Sequence, residues 1–253
     1  MDNNNEDIVE GRNSVLELLK SGKDINKLFI QKGEKHGSIL QIIAKAKERK
    51  VVIVEVEKQK LDEMSNTKNH QGVIAIVPPF EYSSVSDILE YAKSKNEKPF
   101  ILILDGIEDV HNLGSIIRTA ECTGVHGIII PKRRGALVNS TVNKTSAGAV
   151  EYVKIARVTN INETIKKLKE NNVWIYGTDM EAKSYYNDEK YDNDGVAIVI
   201  GSEGFGMEKL VKKNCDFLIK IPMKGKINSL NASVSAAIVM YEVYNQRNKN
   251  RKV

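Results

Sequence analysis

The chain of 253 residues holds two cysteines and four histidines, and these scarcities limit its chemistry. Cys122 and Cys215 stand far apart, without a C-x-x-C or a neighbouring histidine pair. Disulfide and zinc frameworks need more than this, so both cysteines are expected to be buried small hydrophobes. His36, His70, His111 and His126 show no metal-ligand spacing, and no metal is expected. No apolar run approaches the ~18–20 residues that span a bilayer, so no membrane is expected. The opening MDNNNEDIVEGR lacks the basic-then-apolar order of a signal peptide, which makes a cytoplasmic protein the expectation. Charge of one sign is missing too. The 38 basic and 33 acidic residues leave a net +5, which by itself establishes no polyanionic partner. There is no internal repeat.

What is present is an ordinary globular composition, 41% hydrophobic and 28% charged. Basic residues gather locally, as Lys132, Arg133 and Arg134, as Lys224 and Lys226, and in the tail QRNKNRKV. Each cluster reads either as a solvated face or as an anion-binding one. The first part of the chain alternates helix and strand. GRNSVLELLKSG is an amphipathic helix stopped by Gly22, KLFIQKG a strand, SILQIIAKAKERK a helix and VVIVEVE a β-branched strand. KQKLDEMS is a short helix, and GVIAIVPP a strand ended by Pro78 and Pro79. These elements predict an α/β domain over residues 1–78, and PPFEYSS predicts a linker at 79–83. Residues 84–253 then form a second α/β domain. Its apolar segments FILILD, GIIIP, VKIA, VWIYGTD, VAIVIGSEG and FLIKIP read as strands of a parallel sheet covered on both faces.

Ligands of such sheets bind on loops after the strands' carboxyl ends. Three loops here are rich in glycine and polar groups. In DGIEDVHNLGSIIRTAECTG, Asn112 is a plausible helix cap, and Arg118 follows among small and apolar residues. That arginine fits an internal salt bridge or an anionic ligand. IVIGSEGFGM runs a buried strand into Gly201, Ser202 and Glu203. It matches neither the early G-x-G-x-x-G of dinucleotide enzymes nor the G-x-x-x-x-G-K-[ST] phosphate loop, which excludes both cofactor classes. IPMKGKINSLNASVSAAIVMYE offers Met223, Asn228, Ser229, Leu230 and Asn231 before a small-residue helix. Ser229 and Asn231 are good caps, and they would also suit a polar ligand.

In that order, NLGSIIRTA, IVIGSEGFGM and IPMKGKINSLNASVSAAI closely resemble the three signature motifs of the SpoU/TrmH family of RNA ribose methyltransferases. The likeness runs from about Phe100 to the end, and EGRNSVLELL and HQGVIAIV resemble that family's N-terminal substrate-binding domain. The resemblance implies a C-terminal knotted parallel-sheet (α/β knot) methyltransferase domain with a smaller N-terminal α/β RNA-binding domain. It implies S-adenosyl-L-methionine as cofactor, with contacts at Thr178, Gly201, Ile221, Met223, Leu230 and Asn231. Bulk at Gly201 is expected to block the cofactor and spare the fold. The resemblance also implies catalytic roles for Asn112, Arg118, Glu203, Ser229 and Asn231. Arg118 would grip an RNA phosphate, in its own site or in that of a partner, and Glu203 could orient it. A homodimer is implied, and the stripe Val234, Ala237, Ile238 and Tyr241 of the last helix suits core or interface. The substrate implied is RNA, with the layout most similar to members that methylate a guanosine 2′-hydroxyl in large-subunit ribosomal RNA. Alternatives are a transfer-RNA 2′-O-methyltransferase, a ribosomal-RNA adenosine 2′-O resistance methyltransferase and a non-catalytic RNA-binding module. Any RNA contact of the N-terminal domain is expected at Arg12, Asn13 and the NTKNHQG turn.

Overall fold

The computed structural model describes residues 7–33, 35–78, 80–226 and 229–249. In chain order it begins with β1 (Asp7–Glu10), α1 (Arg12–Ser21), β2 (Lys27–Gln31), α2 (Ser38–Glu48), β3 (Ile53–Val56), α3 (Lys58–Met64) and β4 (Val73–Val77). Then come α4 (Val85–Ser94), β5 (Phe100–Asp105), α5 (Val110–Cys122), β6 (Gly127–Pro131), α6 (Ser140–Thr145) and β7 (Lys154–Val158). The chain continues through α7 (Ile161–Glu170), β8 (Val173–Thr178), β9 (Ser184–Tyr185), β10 (Gly195–Gly201), α8 (Lys209–Asn214), β11 (Phe217–Lys220) and α9 (Ala232–Arg247). The elements fall into two compact units. One comprises Met1–Glu81 and Leu137–Tyr152, the other Tyr82–Ala136 and Val153–Val253.

The first unit is a mixed sheet in the order β1-β4-β2-β3, with only the β2–β3 pair parallel. Val15, Leu18 and Leu19 of α1 and Ile39 and Ile42 of α2 pack with Leu28, Ile30, Val73 and Ala75 of the sheet. The periodicity of α1 is the reason, since residues three and four apart share one helix face. Its end is set by Gly22, which takes the left-handed φ of 82°. The Glu10 carboxylate, fully buried, accepts from the Ser65 hydroxyl and, at 2.8 Å, from the Thr67 N–H. Those bonds anchor the turn that follows α3.

Leu137–Tyr152, expected in the second domain, belongs to the first unit. Lys144 Nζ donates to Thr67 Oγ1 at 2.7 Å and to the Asn69 carbonyl at 2.9 Å, and Asn66 Nδ2 donates to Ser140 Oγ at 3.1 Å. The Tyr152 hydroxyl bonds Glu17 Oε2 at 2.6 Å. Contacts between groups this distant in sequence leave no mark on local periodicity. Of the expected linker, Pro79 lies outside the described residues.

The second unit is a seven-stranded sheet in the order β7-β6-β5-β10-β8-β11-β9, parallel at every pairing. Its central strands β5 and β10 are buried on both faces, as their near-continuous apolar content demands. Ile88 of α4, Ile165 and Leu168 of α7 and Val211 of α8 pack on Ile101, Ile103, Ile175 and Val199. Helix α9 packs against α5 and β10. From β5 the chain builds outward through β6 and β7, then crosses to lay β8 and β10 on the other side. The crevice outside the carboxyl ends of β5 and β10 is therefore a topological switch point, where open α/β sheets bind ligands. In register, Asp105 and Gly201 face one another across it.

Two expectations about burial change. Cys122 is exposed at the end of α5, while Cys215 is half-buried, and burial pushes its thiol up to about 12. On α9 the inward face is Ala236, Val239, Met240 and Val243, so the stripe containing Val234 and Tyr241 is not core. Both of those side chains are exposed.

Candidate active site

Three loops meet at the switch point. The one after β10 is shaped by its glycines. Ser202 and Gly206 exchange two backbone hydrogen bonds of 3.0 Å, closing a tight turn in which Gly204 and Gly206 have φ of 88° and 67°. A side chain at Gly201 would place its Cβ 2.3 Å from the carbonyl carbon of Gly206 and 2.4 Å from the Met207 nitrogen. The expectation that bulk here spares the fold is thereby corrected: the chain's own turn occupies the space.

Inside this frame Glu203 is a hub. Its Oε1 accepts from Asn112 Nδ2 at 3.0 Å, from Asn231 Nδ2 at 2.7 Å and from the Ala232 N–H at 3.2 Å. Asn231 Nδ2 also donates to Asn112 Oδ1 at 3.0 Å. Asn231 is the N-cap of α9, its Oδ1 accepting from Ser233 N and Val234 N. One residue from each motif thus enters a single network. The carboxylate sits at a helix N-terminus, where the helix dipole and a free N–H favour negative charge. Glu203 Oε2 accepts from no described residue.

The other expected catalytic groups are not part of this network. Arg118 is exposed on α5 and makes no ion pair among the described residues. It lies six residues beyond Asn112, which on a helix is about 9 Å along and a third of a turn round. No hydrogen bond or ion pair joins Glu203 to Arg118 among the described residues, while its Oε1 is held by the two asparagines. Ser229 is exposed and shares no hydrogen bond with a described residue; Asn228 lies outside the described residues. Asn112 is not the cap of α5. That position belongs to Asp109, which accepts from the His111 N–H at 2.8 Å, and Asn112 is buried in the first turn.

The residues expected at the cofactor line the ends of three adjacent strands. Thr178 closes β8 and donates its hydroxyl to the Val199 carbonyl of β10 at 3.0 Å. Gly201 closes β10, and Ile221 follows β11. Met223 and Leu230 leave 39% and 37% of their surface in solvent.

Two further groups at the site, Asp105 and Phe205, were not singled out in the sequence, and Arg133 was read there only as part of a basic cluster. Asp105 ends β5 almost wholly buried and accepts from the Glu208 N–H at 2.7 Å. Burial pushes its carboxyl above the ordinary range, against the pull of that hydrogen bond. An acid closing an otherwise apolar strand was the available signal. Phe205 and Arg133 line, with Asp105 and Glu203, a cleft of about 950 Å³. Among the described residues no group of three metal-ligating side chains occurs. In the first unit, the predicted RNA-contact residues come together. Arg12 Nε donates to the Gln71 carbonyl and its N–H to Gln71 Oε1, both at 3.0 Å, and Lys144 joins the same turn through Thr67 and Asn69. Asn13, the next residue of α1, is exposed.

Residues 99–241 match the SpoU rRNA Methylase family, and residues 8–83 match the RNA 2′-O ribose methyltransferase substrate-binding family. A TrmH family tRNA/rRNA methyltransferase of Bacillus subtilis is 49% identical over 242 residues, spanning 96% of both chains. The SpoU methyltransferase AviRb from Streptomyces viridochromogenes, solved with the cofactor AdoMet, shares the fold. It superposes with a TM-score of 0.81 over 97% of this chain and 92% of its own, at 21% identity. The A. aeolicus TrmH/SpoU tRNA modifying enzyme, 27% identical, covers 60% of this chain and 77% of its own, with a TM-score of 0.55. With both units matched and a relative this similar along nearly its whole length, the chain belongs to the SpoU rRNA methylase family and is an S-adenosylmethionine-dependent RNA ribose methyltransferase.

Proposed function

We propose that this methyltransferase modifies the ribose 2′-hydroxyl of a guanosine in large-subunit ribosomal RNA. The observation that carries the reading is the convergence of Asn112, Glu203 and Asn231 on one point from three loops. The N-terminal unit supports a ribosomal target, because the tRNA modifying enzyme of A. aeolicus aligns with only 60% of this chain. Transfer RNA is the second reading, since the Bacillus subtilis relative carries both substrates in its name.

The residues at the ends of β8, β10 and β11 fit the cofactor. No hydrogen bond joins the backbone of Ile221, Met223 or Leu230 to another described residue, which leaves donors and acceptors for an adenine edge. The half-exposed Met223 and Leu230 side chains offer apolar surface to its faces. When bound, the cofactor supplies a methyl group on a sulfonium, already electrophilic. The protein's part is then orientation and help with the hydroxyl proton. Glu203, fixed through Oε1, keeps Oε2 for a substrate hydroxyl. Arg118 cannot serve as the base, because a guanidinium stays protonated to above ~12. It takes a phosphate next to the target ribose and offsets charge developing on the attacking oxygen.

The exposed stripe Val234 and Tyr241 on α9, and an exposed Arg118 with no ion pair to its own chain's Glu203, support a homodimer in which Arg118 serves the partner's site. The return of α9 to α5 after β10 enters between β5 and β8 supports a knotted path. Arg12 and the NTKNHQG turn, with Lys144, form the RNA-positioning patch of the first unit. No helix among the described residues is long and apolar enough to cross a membrane, and the place of work we propose is the cytoplasm. Incubation with radiolabelled S-adenosylmethionine and separate ribosomal and transfer RNA pools tests the reading. Label in large-subunit ribosomal RNA at a guanosine is expected. Label confined to transfer RNA would establish the second reading instead.

A further inference from the structure

Phe205 leaves 95% of its surface in solvent, more than any other large hydrophobic side chain among the described residues. It stands on the Ser202–Gly206 turn, whose two backbone hydrogen bonds and packed Gly201 hold the ring's base in place. A bare ring on a braced stem is not a loop residue that failed to find the core. It borders the cleft that also contains Asn112 and Glu203. The charges of this cleft are arranged unevenly. Glu108 and Asp109 line it as exposed acids beside the buried Asp105, carboxylates suited to the N–H donors of a nucleobase. Arg133 and Lys209 are the exposed cations of the lining with no ion pair among the described residues, since Arg134 Nη1 is held by Glu208 Oε1 at 2.9 Å. A volume of about 950 Å³ admits a nucleotide.

We propose that Phe205 is a stacking platform for an unpaired nucleobase of the RNA substrate, with Arg133 taking the phosphate that follows it. This rests on the reading of the chain as an RNA methyltransferase. Stacking uses the π-face that every base has, so Phe205 would govern RNA affinity and substrate positioning. It would leave the cofactor site untouched.

The test uses the full-length protein with Phe205→Leu, which keeps an apolar side chain and removes the ring, and Phe205→Trp, which keeps a ring. Binding and methylation are measured on large-subunit ribosomal RNA transcribed in vitro. Phe205→Leu is expected to raise Kd and KM for this RNA by about ten- to a hundredfold, the range of a lost base–aromatic stack. Its cofactor affinity by calorimetry and its melting temperature are expected to stay at wild-type values. Phe205→Trp is expected to bind within about threefold of wild type, and its new indole to be quenched by RNA. The only native tryptophan, Trp174, lies at the opposite end of β8 from Thr178 and serves as the wild-type control. RNA affinity of Phe205→Leu equal to wild type would overturn the proposal. So would a change of its oligomeric state in light scattering, which would make Phe205 an anchor for a protein surface. If wild type methylates the RNA and Phe205→Leu does so equally well, stacking alone falls. If wild type neither binds nor methylates ribosomal or transfer RNA, the functional reading falls with it.

Discussion

The two ends of the seven-stranded sheet are built on opposite principles. At the amino end, Arg247 is half-buried, and its guanidinium donates to the carbonyls of Tyr191, Lys98, Pro99 and Asp194 at 2.7–3.1 Å. His126 accepts the Phe100 N–H at Nδ1 and meets Glu97 at Nε2. Both of these groups are partnered. At the carboxyl end one network is equally well made, around Glu203, yet Arg118, Arg133 and Phe205 stand in solvent without a partner among the described residues. Satisfied groups hold the fold, and unsatisfied ones are available to a substrate.

The contrast is sharpest when one arginine from each end is removed. Arg118→Ala is expected to slow methylation by about 10²–10³, the size of a lost charge-stabilising contact in a transition state. Its melting temperature and cofactor affinity are expected to match wild type. Initial-rate kinetics with differential scanning calorimetry check both, and activity within a few-fold of wild type would sink the assignment. Arg247→Ala is expected to do the reverse. It strands several carbonyls and costs about 3 kcal/mol of stability, with the rate per folded molecule unchanged. Denaturant melts beside active-site titration would show a blurred comparison if kcat fell as far as stability.

Gly201→Ala probes where the two principles overlap. The added carbon meets the backbone of the next turn, so both stability and cofactor binding are expected to fall, by about 1–3 kcal/mol for the fold. A mutant that melts like wild type but binds no cofactor would restore the simpler view that the glycine serves the ligand alone.

The smallest expected effect is a pH dependence at the amino end. Burial lowers the His126 pKa, with Arg247 adding to the shift and Glu97 opposing it. The ring is therefore neutral in the fold, and its contribution is complete above the ordinary histidine value. That contribution is lost as pH falls from about 6.5 through the lowered value. Denaturation midpoints are expected to decline on acidification in this window, with a shallower decline in His126→Gln. Identical profiles would remove His126 from the account.

Much of this was legible in the sequence, and for identifiable reasons. FILILD, VAIVIG and VWIYGT became β5, β10 and β8 because unbroken apolar runs between helices have few other destinations. The motif order brought Asn112, Glu203 and Asn231 to notice together, and the structure joins them. Arg118 was legible as a candidate but not as unpartnered, since spacing along a helix does not reveal which face another loop will meet. β1, with two acids among four residues, and β9, two residues long, were too short or too polar to register as strands. Leu137–Tyr152 went unassigned to the first unit because its partners, Glu17, Asn66 and Thr67, lie more than seventy positions upstream. Phe205 looked like one apolar residue in a glycine turn. Only its exposure made it a candidate.

The central claim is that the carboxyl end of this sheet methylates a ribose oxygen. It is tested most directly by digesting RNA methylated in vitro with isotopically labelled S-adenosylmethionine to nucleosides and separating these by mass spectrometry. The expected result is label in 2′-O-methylguanosine, with the sugar fragment carrying the added methyl mass. Label retained on a base fragment, or no transfer to any RNA by a folded, cofactor-binding protein, would contradict it.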